Sequence, residues 1–599
     1  MDQGSALDRF KDVPELITLV ASYLNQKDII SLQVTSRKIY PIVHPFYFQE
    51  VSFDFRSSMS EFRETAQHAR YISSLTLDEE YFEPYYDAMA EVAKDPATRS
   101  SLKHSRLKSC SPVSFSTSTS PSSLQLPNHA ELDAILGEEA LYELCQHSVM
   151  STAWLFYVIR FSPFLTSLAL IRFKIESEEQ LNFLGRILSG IGTLENLDLC
   201  LCSGEPSMPF LSTIIHSCPP LVKSLTLGIE SLDDSSSEGS EDDYITDAPA
   251  AVSGPIEDRQ APLVRLTKLE YVPLGGRVDA EQYMSILEFL PAVEMMDIPA
   301  VDNARRDVAL RLAECCPRLR SLKQTGFSFD RQGVMASQLL EALPVNTIES
   351  LSISQVQERP SSKGVLGLRY HFQSLKSIIF DVCIRVNQVT VNAILFECPE
   401  LEVFRITSYA HSNFEHSLRE IVKKPWASTK FKELRLVLTL NELAKLPTDY
   451  YLEEDMTPAG VKRLAKFYQQ LGSLRELRIL DLKVDFDKGG MYDEDEPVEY
   501  FHYSFPGMLT LEDKRRYRNG WLGQLGGLTK LEELRGSFNL ESMLEGFEFD
   551  ILEAYWIEKH WPNLKIIELF SGQRVKKWRK NPLARCLKGM RPALEITVP

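Results

Sequence analysis

Apolar residues recur along the chain in a six-residue pattern, with leucine or a similar residue at the first, fourth and sixth positions. Side chains alternate between the two faces of a strand, so the fourth and sixth positions would share a buried face while the third and fifth point outward. Each copy therefore predicts a short strand that is buried on one face. The clearest copies are Leu165-x-x-Leu168-x-Leu170, Leu194-x-x-Leu197-x-Leu199, Leu225-x-Leu227, Ile348-x-x-Leu351-x-Ile353, Leu375-x-x-Ile378-x-Phe380, Leu401-x-x-Phe404-x-Ile406, Phe431-x-x-Leu434-x-Leu436, Leu474-x-x-Leu477-x-Ile479 and Leu564-x-x-Ile567-x-Leu569.

The segments between these hexads have helical spacing, as in the run that presents Leu181, Leu184 and Leu188. Uninterrupted copies recur about every 26 to 30 residues, the period of the longer leucine-rich repeats. We therefore predict an α/β solenoid over residues 161–570, with parallel strands on its concave face and helices on its convex face. Residues 56–160 are predicted to be a linking region with one weak repeat.

Polar insertions interrupt this array. Residues 100–128 are rich in serine and proline, residues 233–255 are acidic and serine-rich, and residues 485–499 contain a further acidic run. Such segments bury too little apolar surface to offset the entropy of ordering, so we predict disordered loops. Residues 571–599 are predicted to form a basic cap or tail, and the sequence leaves open whether its positive charge serves nuclear import, an acidic partner or only a charged cap of the solenoid.

Residues 1–55 differ from the repeats. Pro14 and Glu15 stand where a helix favours proline and an acid, and apolar residues continue through Val20 and Leu24 at steps of about four residues. Asp28 then begins a second helical segment. Three short helices have little room for a full core, so their apolar content suggests a surface that another chain completes.

This segment resembles the F-box. The resemblance rests on three spaced groups: Val13-Pro14-Glu15-Leu16-Ile17, then Tyr23-Leu24, then the run from Asp28 through Val34-Thr35-Ser36-Arg37 to Tyr40. It implies a three-helix module that binds a Skp-type adaptor, and through it cullin and RING subunits. Repeats that follow an F-box hold the protein to be ubiquitinated. The positions that the resemblance assigns to the adaptor-facing surface are Pro14, Leu16, Ile17, Val20, Leu24, Ile29, Leu32 and Val34.

The third and fifth hexad positions are candidates for binding a substrate. In three successive repeats the hexads place an arginine at the equivalent fifth position: Arg405, Arg435 and Arg478. Guanidinium groups bind carboxylate and phosphate through paired hydrogen bonds, so a ladder of arginines would suit an acidic or phosphorylated segment. The alternative is that Glu433 and Glu476 neutralise the ladder, which then only keeps the face soluble.

Charge and motif content narrow the function further. The net charge of -18 and the pI near 5.3 argue against general binding to nucleic acid or anionic membrane. No apolar leader or membrane-length apolar run is evident, and the scattered cysteines suit a reduced protein of the cytoplasm or nucleus. No metal-ligand spacing, phosphate-binding loop or catalytic motif is found, so we predict no cofactor, no metal site and no catalytic residue.

Together these features favour a non-catalytic substrate receptor of an SCF-type ubiquitin ligase. The alternative is a leucine-rich-repeat scaffold or regulatory protein whose N-terminal helices serve another partner or only cap the repeats.

Overall fold

A computed structural model describes the chain in two compact units, Met1–Val293 and Glu294–Pro599. The described residues are 14–24, 26–35, 37–52, 68, 71–78, 162, 164–175, 178–203, 210–231, 261–274, 280–298, 305–324, 340–354, 365–381, 386–407, 416–439, 457–485, 509–512, 520–536, 551–568 and 582–597. Apart from Asp485, which ends a strand, the three polar insertions and the basic run 574–581 lie outside these residues, so the loops predicted there stay predictions.

The N-terminal unit begins with three short helices and continues as parallel strands in chain order. The helices are α1 (Pro14–Ala21), α2 (Gln26–Gln33), α3 (Tyr40–Tyr47), α4 (Glu178–Ser189), α5 (Phe210–Ser217) and α6 (Ala280–Leu287). The strands are β1 (Glu50–Ser52), β2 (Ser74–Asp78), β3 (Ser167–Ile175), β4 (Asn196–Ser203), β5 (Ser224–Ser231) and β6 (Lys268–Leu274).

The C-terminal unit continues the alternation of strand and helix, again with parallel strands in chain order. Its strands are β7 (Met295–Ile298), β8 (Ser321–Gln324), β9 (Ser350–Ser354), β10 (Ser377–Asp381), β11 (Val403–Ile406), β12 (Glu433–Thr439), β13 (Ile479–Asp485), β14 (Glu533–Arg535), β15 (Ile566–Glu568) and β16 (Glu595–Thr597). Its helices are α7 (Arg305–Cys315), α8 (Val365–Arg369), α9 (Gln388–Glu397), α10 (Leu418–Ile421), α11 (Pro458–Gly472), a 3-10 helix (Leu522–Gly527), α12 (Ile551–His560) and α13 (Pro582–Met590).

The α/β solenoid predicted from the hexads is confirmed. Fourth-position side chains align across neighbouring strands, as Leu351, Ile378, Phe404 and Leu434 do, and all four are buried. Burying each such side chain stabilises the fold by about 1.5–3 kcal/mol. No repeat could bury this row alone, since each strand covers only its neighbours.

A repeated main-chain hydrogen-bond pattern fixes the register from one strand to the next. The carbonyl oxygen just before a strand accepts from two successive N–H groups at the start of the following strand. Thus Lys376 O accepts from Glu402 N at 2.7 Å and from Val403 N at 2.9 Å. In the same way, Lys432 O accepts from Arg478 N and Ile479 N. The same pattern crosses short and long connections alike, so the length of a connection does not shift the register.

Side chains at this pre-strand position alternate in charge over much of the C-terminal unit. We call this row, Arg320, Glu349, Lys376, Glu402, Lys432, Arg478, Glu532 and Lys565, the edge ladder. Glu349 lies 2.6 Å from Lys376 and 3.2 Å from Arg320. The hydrogen bond from Lys376 and the two positive charges outweigh partial burial and hold the pKa of Glu349 below its ordinary value. Each exposed pair adds little stability alone, so the row chiefly favours correct pairing of neighbours.

The solenoid extends beyond the predicted boundaries of 161 and 570. β1 and β2 pair with each other, and β2 pairs with β3, so the parallel sheet begins at Glu50. β16 pairs with β15, so the segment 571–599 contributes a last repeat rather than only a cap or tail. The first part of the sheet falls in the segment predicted to be a linking region with one weak repeat, although Ile72-x-x-Leu75-x-Leu77 fits the hexad.

The hexad at Leu474 was also placed three residues too early. Leu477-x-x-Leu480-x-Leu482 fits the same pattern, and this overlapping copy is the one the sheet uses, because Leu434 pairs with Leu480. Leu474, Leu477 and Leu480 are three residues apart, so the hexad pattern fits whether it starts at Leu474 or at Leu477. The correction changes which side chains of this strand face outward.

Close backbone packing at Gly472 yields a stability prediction. An added Cβ at this position would meet the Gln524 carbonyl oxygen at 2.0 Å, whereas one at Gly523 would meet no atom within 4 Å. Gly472→Ala is therefore expected to lower the free energy of unfolding by about 1–3 kcal/mol, since backbone must shift to accommodate the methyl group. Urea denaturation of the full chain measures this, with Gly523→Ala as the matched control; equal midpoints for the two variants would contradict the packing.

Candidate functional site

The three N-terminal helices share a small apolar core. Ile17, Ala21, Ile29, Ile39 and Val43 are buried together. The partly buried residues packed against this core are Leu24, Leu32, Ile42, Phe46 and Tyr47. The helices thus satisfy part of their apolar content internally, as a short helical bundle must.

Other large apolar side chains of the same helices point into solvent. On and just after α1, Leu16 is 43% exposed, Leu19 54% and Tyr23 81%; on and just after α2, Ile30 is 47% and Val34 81% exposed. We call these five residues the outer face. Leu16, Leu19 and Tyr23 follow one another at steps of three and four, which places them on one side of a helix. An exposed apolar row of this kind on α1 is typical of a surface that binds another protein.

The eight predicted adaptor-facing residues divide between the two environments. Leu16, Val34 and Pro14 are exposed, and Val20, Leu24 and Leu32 are partly buried. Ile17 and Ile29 lie in the core, so in this structure they support the surface from beneath and do not form it.

Sequence reasoning missed three members of the outer face, Leu19, Tyr23 and Ile30. Following steps of three and four from Leu16 would have found the first two. The four-residue steps from Ile17 to Ala21 follow the core side of α1 instead.

A second candidate surface is the face of the sheet that carries the third and fifth hexad positions, which we call the open face. In the C-terminal unit, Arg405, Arg435, Asp481 and Arg535 align at the fifth position on β11 to β14. Arg478 does not belong to this row, so the predicted equivalence of the three arginines is wrong. Arg478 belongs to the edge ladder, where its guanidinium lies 3.6 Å from Glu532.

The guanidinium groups of the open face are engaged by carboxylates of the same face. Glu433 lies 2.7 Å from Arg405 and 2.5 Å from Arg435, and Arg535 lies 2.9 Å from Glu533. These pairs support the alternative that glutamate neutralises the arginines, with Glu433 as the acceptor. Glu476 pairs instead with Lys530, at 2.6 Å.

The open face of the N-terminal unit carries no arginine at the fifth positions of β4 to β6. Its fifth positions on β4 to β6 are Asp198, Thr226 and Glu270. Burial, with a further contribution from the charge of Glu270, raises the pKa of Asp198, while Lys268 opposes this shift. Lys268 and Glu270 form an ion pair at 3.0 Å.

Metal-binding and membrane-spanning features can be assessed only for the residues that the structure describes. No group of three or more His, Cys, Asp or Glu side chains there is placed to hold a metal ion. None of the helices in this part of the chain has the length and apolar character needed to cross a membrane.

Comparisons with known proteins add little to these observations. No family model matches the sequence, and no curated protein matches it. Among solved structures, a chain from the crystal structure of the Rad7 and Elc1 complex in yeast aligns with a TM-score of 0.28 and 13% identity over 80% of this chain and 98% of that chain. A chain from the crystal structure of the TLR13–ssRNA13 complex aligns with a TM-score of 0.23 and 12% identity over 69% and 72% of the two chains. Likenesses this low carry no argument about function.

The shared acceptor on the open face leads to a second stability prediction. Glu433→Gln would leave the Arg405 and Arg435 guanidinium groups close together with no carboxylate between them, so we expect a loss of about 1–3 kcal/mol in the free energy of unfolding. Glu476→Gln, which removes an exposed carboxylate, is expected to leave the urea midpoint unchanged. If the two variants unfold at the same urea concentration, Glu433 does not hold the arginines.

Proposed function

We propose that this chain is the substrate-recognition subunit of an SCF-type cullin-RING ubiquitin ligase. In this proposal the N-terminal helices bind a Skp-type adaptor, and the repeats bind the protein to be ubiquitinated. The chain contributes no catalytic group of its own. It increases the rate of ubiquitin transfer by partner proteins because it holds the substrate close to them in a fixed orientation.

The observation that carries this proposal is the outer face. Five large apolar side chains stand exposed on and just after two short helices whose other apolar residues mostly pack in a core. A surface of this composition gains free energy when a partner covers it, at about 25 cal/mol for each Å² of apolar area. The F-box resemblance of the same segment supplies the identity of the partner, a Skp-type adaptor.

The cysteines support a reducing location, and we place the protein in the cytoplasm or nucleus. Cys316 and Cys398 are buried free thiols, and Cys586 is a partly exposed one. Burial, with a smaller effect of Cys315, raises the pKa of Cys316 to about 12, so this thiol stays protonated and unreactive.

The test is capture of a purified Skp-type adaptor by the full chain. Leu16→Asp with Leu19→Asp is expected to weaken adaptor binding at least about tenfold, since two charges would be buried in an apolar contact. Both positions are exposed, so this double variant should remain folded, which circular dichroism checks.

The matched control replaces two equally exposed helical leucines far along the chain, Leu310→Asp with Leu552→Asp. This control adds the same charge and should leave adaptor capture unchanged. Failure of the wild-type chain to bind the adaptor, or equal loss in both double variants, would remove the ligase role. The protein would then be better described as a repeat scaffold.

A further inference from the structure

Positive charge is concentrated on α11 and on the turn that follows α10. α11 contains Lys462, Arg463 and Lys466, and none of its 15 residues is an aspartate or a glutamate. Lys423 and Lys424 come shortly after the end of α10, the helix that packs against α11. The two neighbouring helices thus bring five cations into one part of the C-terminal unit.

Helix geometry and one hydrogen bond place three of these cations in a row. Lys462, Lys466 and Gln470 follow one another at steps of four, so they lie along one side of α11. Gln470 Nε2 donates to the main-chain oxygen of Lys424 at 3.0 Å, so the turn after α10 lies against the end of this row. Lys424, Lys462 and Lys466 are all exposed, and we call these three residues the basic patch.

Carboxylates of the described residues do not neutralise the basic patch. The one acid on α10, Glu420, pairs with Lys423 at 3.3 Å and lies 4.0 Å from Arg419. No carboxylate oxygen within the described ranges lies within 4 Å of an ammonium group of the basic patch. Lysines nearby are paired, as Lys430 is with Glu400 at 2.5 Å, so this row differs from its surroundings.

Folding gains nothing from these positive charges. Lys462 and Lys466 are four residues apart on one helix, a spacing at which like charges repel and destabilise the helix. α11 is held by its buried residues, which include Leu464, Phe467 and Leu471, on the other side of the helix. Exposed positions that work against the stability of a helix are expected where a partner supplies the opposite charge.

The spacing of the row suits an extended acidic segment. A helix rises 1.5 Å per residue, so Lys462 and Lys466 stand about 6 Å apart along the axis of α11. In an extended segment, every second side chain lies on the same side, at intervals of about 6.6–6.8 Å. Carboxylates at alternate positions would therefore meet Lys462, Lys466 and Lys424 in turn.

A short protein segment fits the basic patch better than a nucleic acid or an anionic membrane does. The patch is small, and acids flank it: Glu420 on α10 and Glu397, exposed on α9. Charges interact over about 8–10 Å at physiological ionic strength. A duplex or a membrane would extend past the lysines and bring its negative charge close to these acids, within a chain whose net charge is already -18.

We infer that the basic patch binds an extended, carboxylate-rich segment of a partner protein. Its three lysines belong to neither the outer face nor the open face. The inference therefore goes beyond the proposed function and does not depend on adaptor binding.

The experiment measures fluorescence anisotropy of labelled peptides against the full-length chain. One probe has glutamate at every second position in a serine background, and the matched probe has glutamine at the same positions. The wild-type chain is expected to bind the glutamate probe at least about fivefold more tightly, because only its carboxylates can pair with the lysines. The net charge of -18 alone would give the opposite order, since it repels an acidic peptide.

A triple variant locates the contact. Lys424→Gln with Lys462→Gln and Lys466→Gln is expected to weaken binding of the glutamate probe about tenfold, since the three charges that attract it are removed. All three side chains are exposed, so the variant should remain folded, which circular dichroism checks. If it does not fold, the comparison of the two probes on the wild-type chain still decides the matter.

The matched control removes the same charge from three exposed lysines that carboxylates already hold, as Lys223→Gln with Lys376→Gln and Lys565→Gln. This control should change binding of the glutamate probe less than about twofold. Equal weakening by the two triple variants would overturn the inference, since it would mean that only the overall charge matters.

Two other outcomes would also overturn the inference. One is equal binding of the two probes, and the other is no binding of the glutamate probe. Vesicles that contain phosphatidylserine and a single-stranded oligonucleotide are measured in parallel. If either binds through the three lysines while the glutamate probe does not, the patch serves a different class of ligand.

Discussion

Most described repeats of this molecule depend on one main-chain arrangement, in which a carbonyl oxygen before a strand accepts two N–H groups from the start of the next. Glu349 O accepts from Lys376 and Ser377, and Lys432 O accepts from Arg478 and Ile479, although the second connection is far longer than the first. Because only backbone atoms take part, any residue other than proline can occupy the donor positions without changing the register. The sheet is thereby set before any outward side chain is chosen.

Fixed register gives side chains on neighbouring strands fixed neighbours, and charge is arranged accordingly. In most of the edge ladder, oppositely charged residues alternate between repeats, so Glu402 meets Lys432, whereas Lys432 is followed by Arg478. On the open face, Glu433 joins two arginines from successive strands. The N-terminal helices follow a different rule, since they leave apolar rather than charged side chains exposed. The molecule thus presents two chemically distinct surfaces, one apolar and one ionic.

The sequence predicted the buried rows well, because a leucine every two or three residues has few ways to be hidden in a short strand. It failed where two frames overlapped: Leu474 and Leu477 both start an acceptable hexad, and only pairing with β12 chooses between them. That choice moved Arg478 off the open face and placed Asp481 there. In the helices, Ile17 and Leu16 are adjacent and equally apolar, so only the packing of α2 and α3 could show which one is buried.

The two edges of each sheet, where strands begin and where they end, differ in how easily the chain can be lengthened there. At the edge where strands begin, paired hydrogen bonds join each strand to the next. The longer segments outside the described residues, by contrast, begin directly after a strand ends, as after Asp78, Ser231, Thr439 and Asp485. Residues inserted directly after a strand lengthen the connection at that edge of the sheet and leave the hydrogen-bonded edge unchanged. Such a protein can gain new peptide segments during evolution while each strand keeps the same neighbouring strands. The chain can therefore become longer without a change in its architecture.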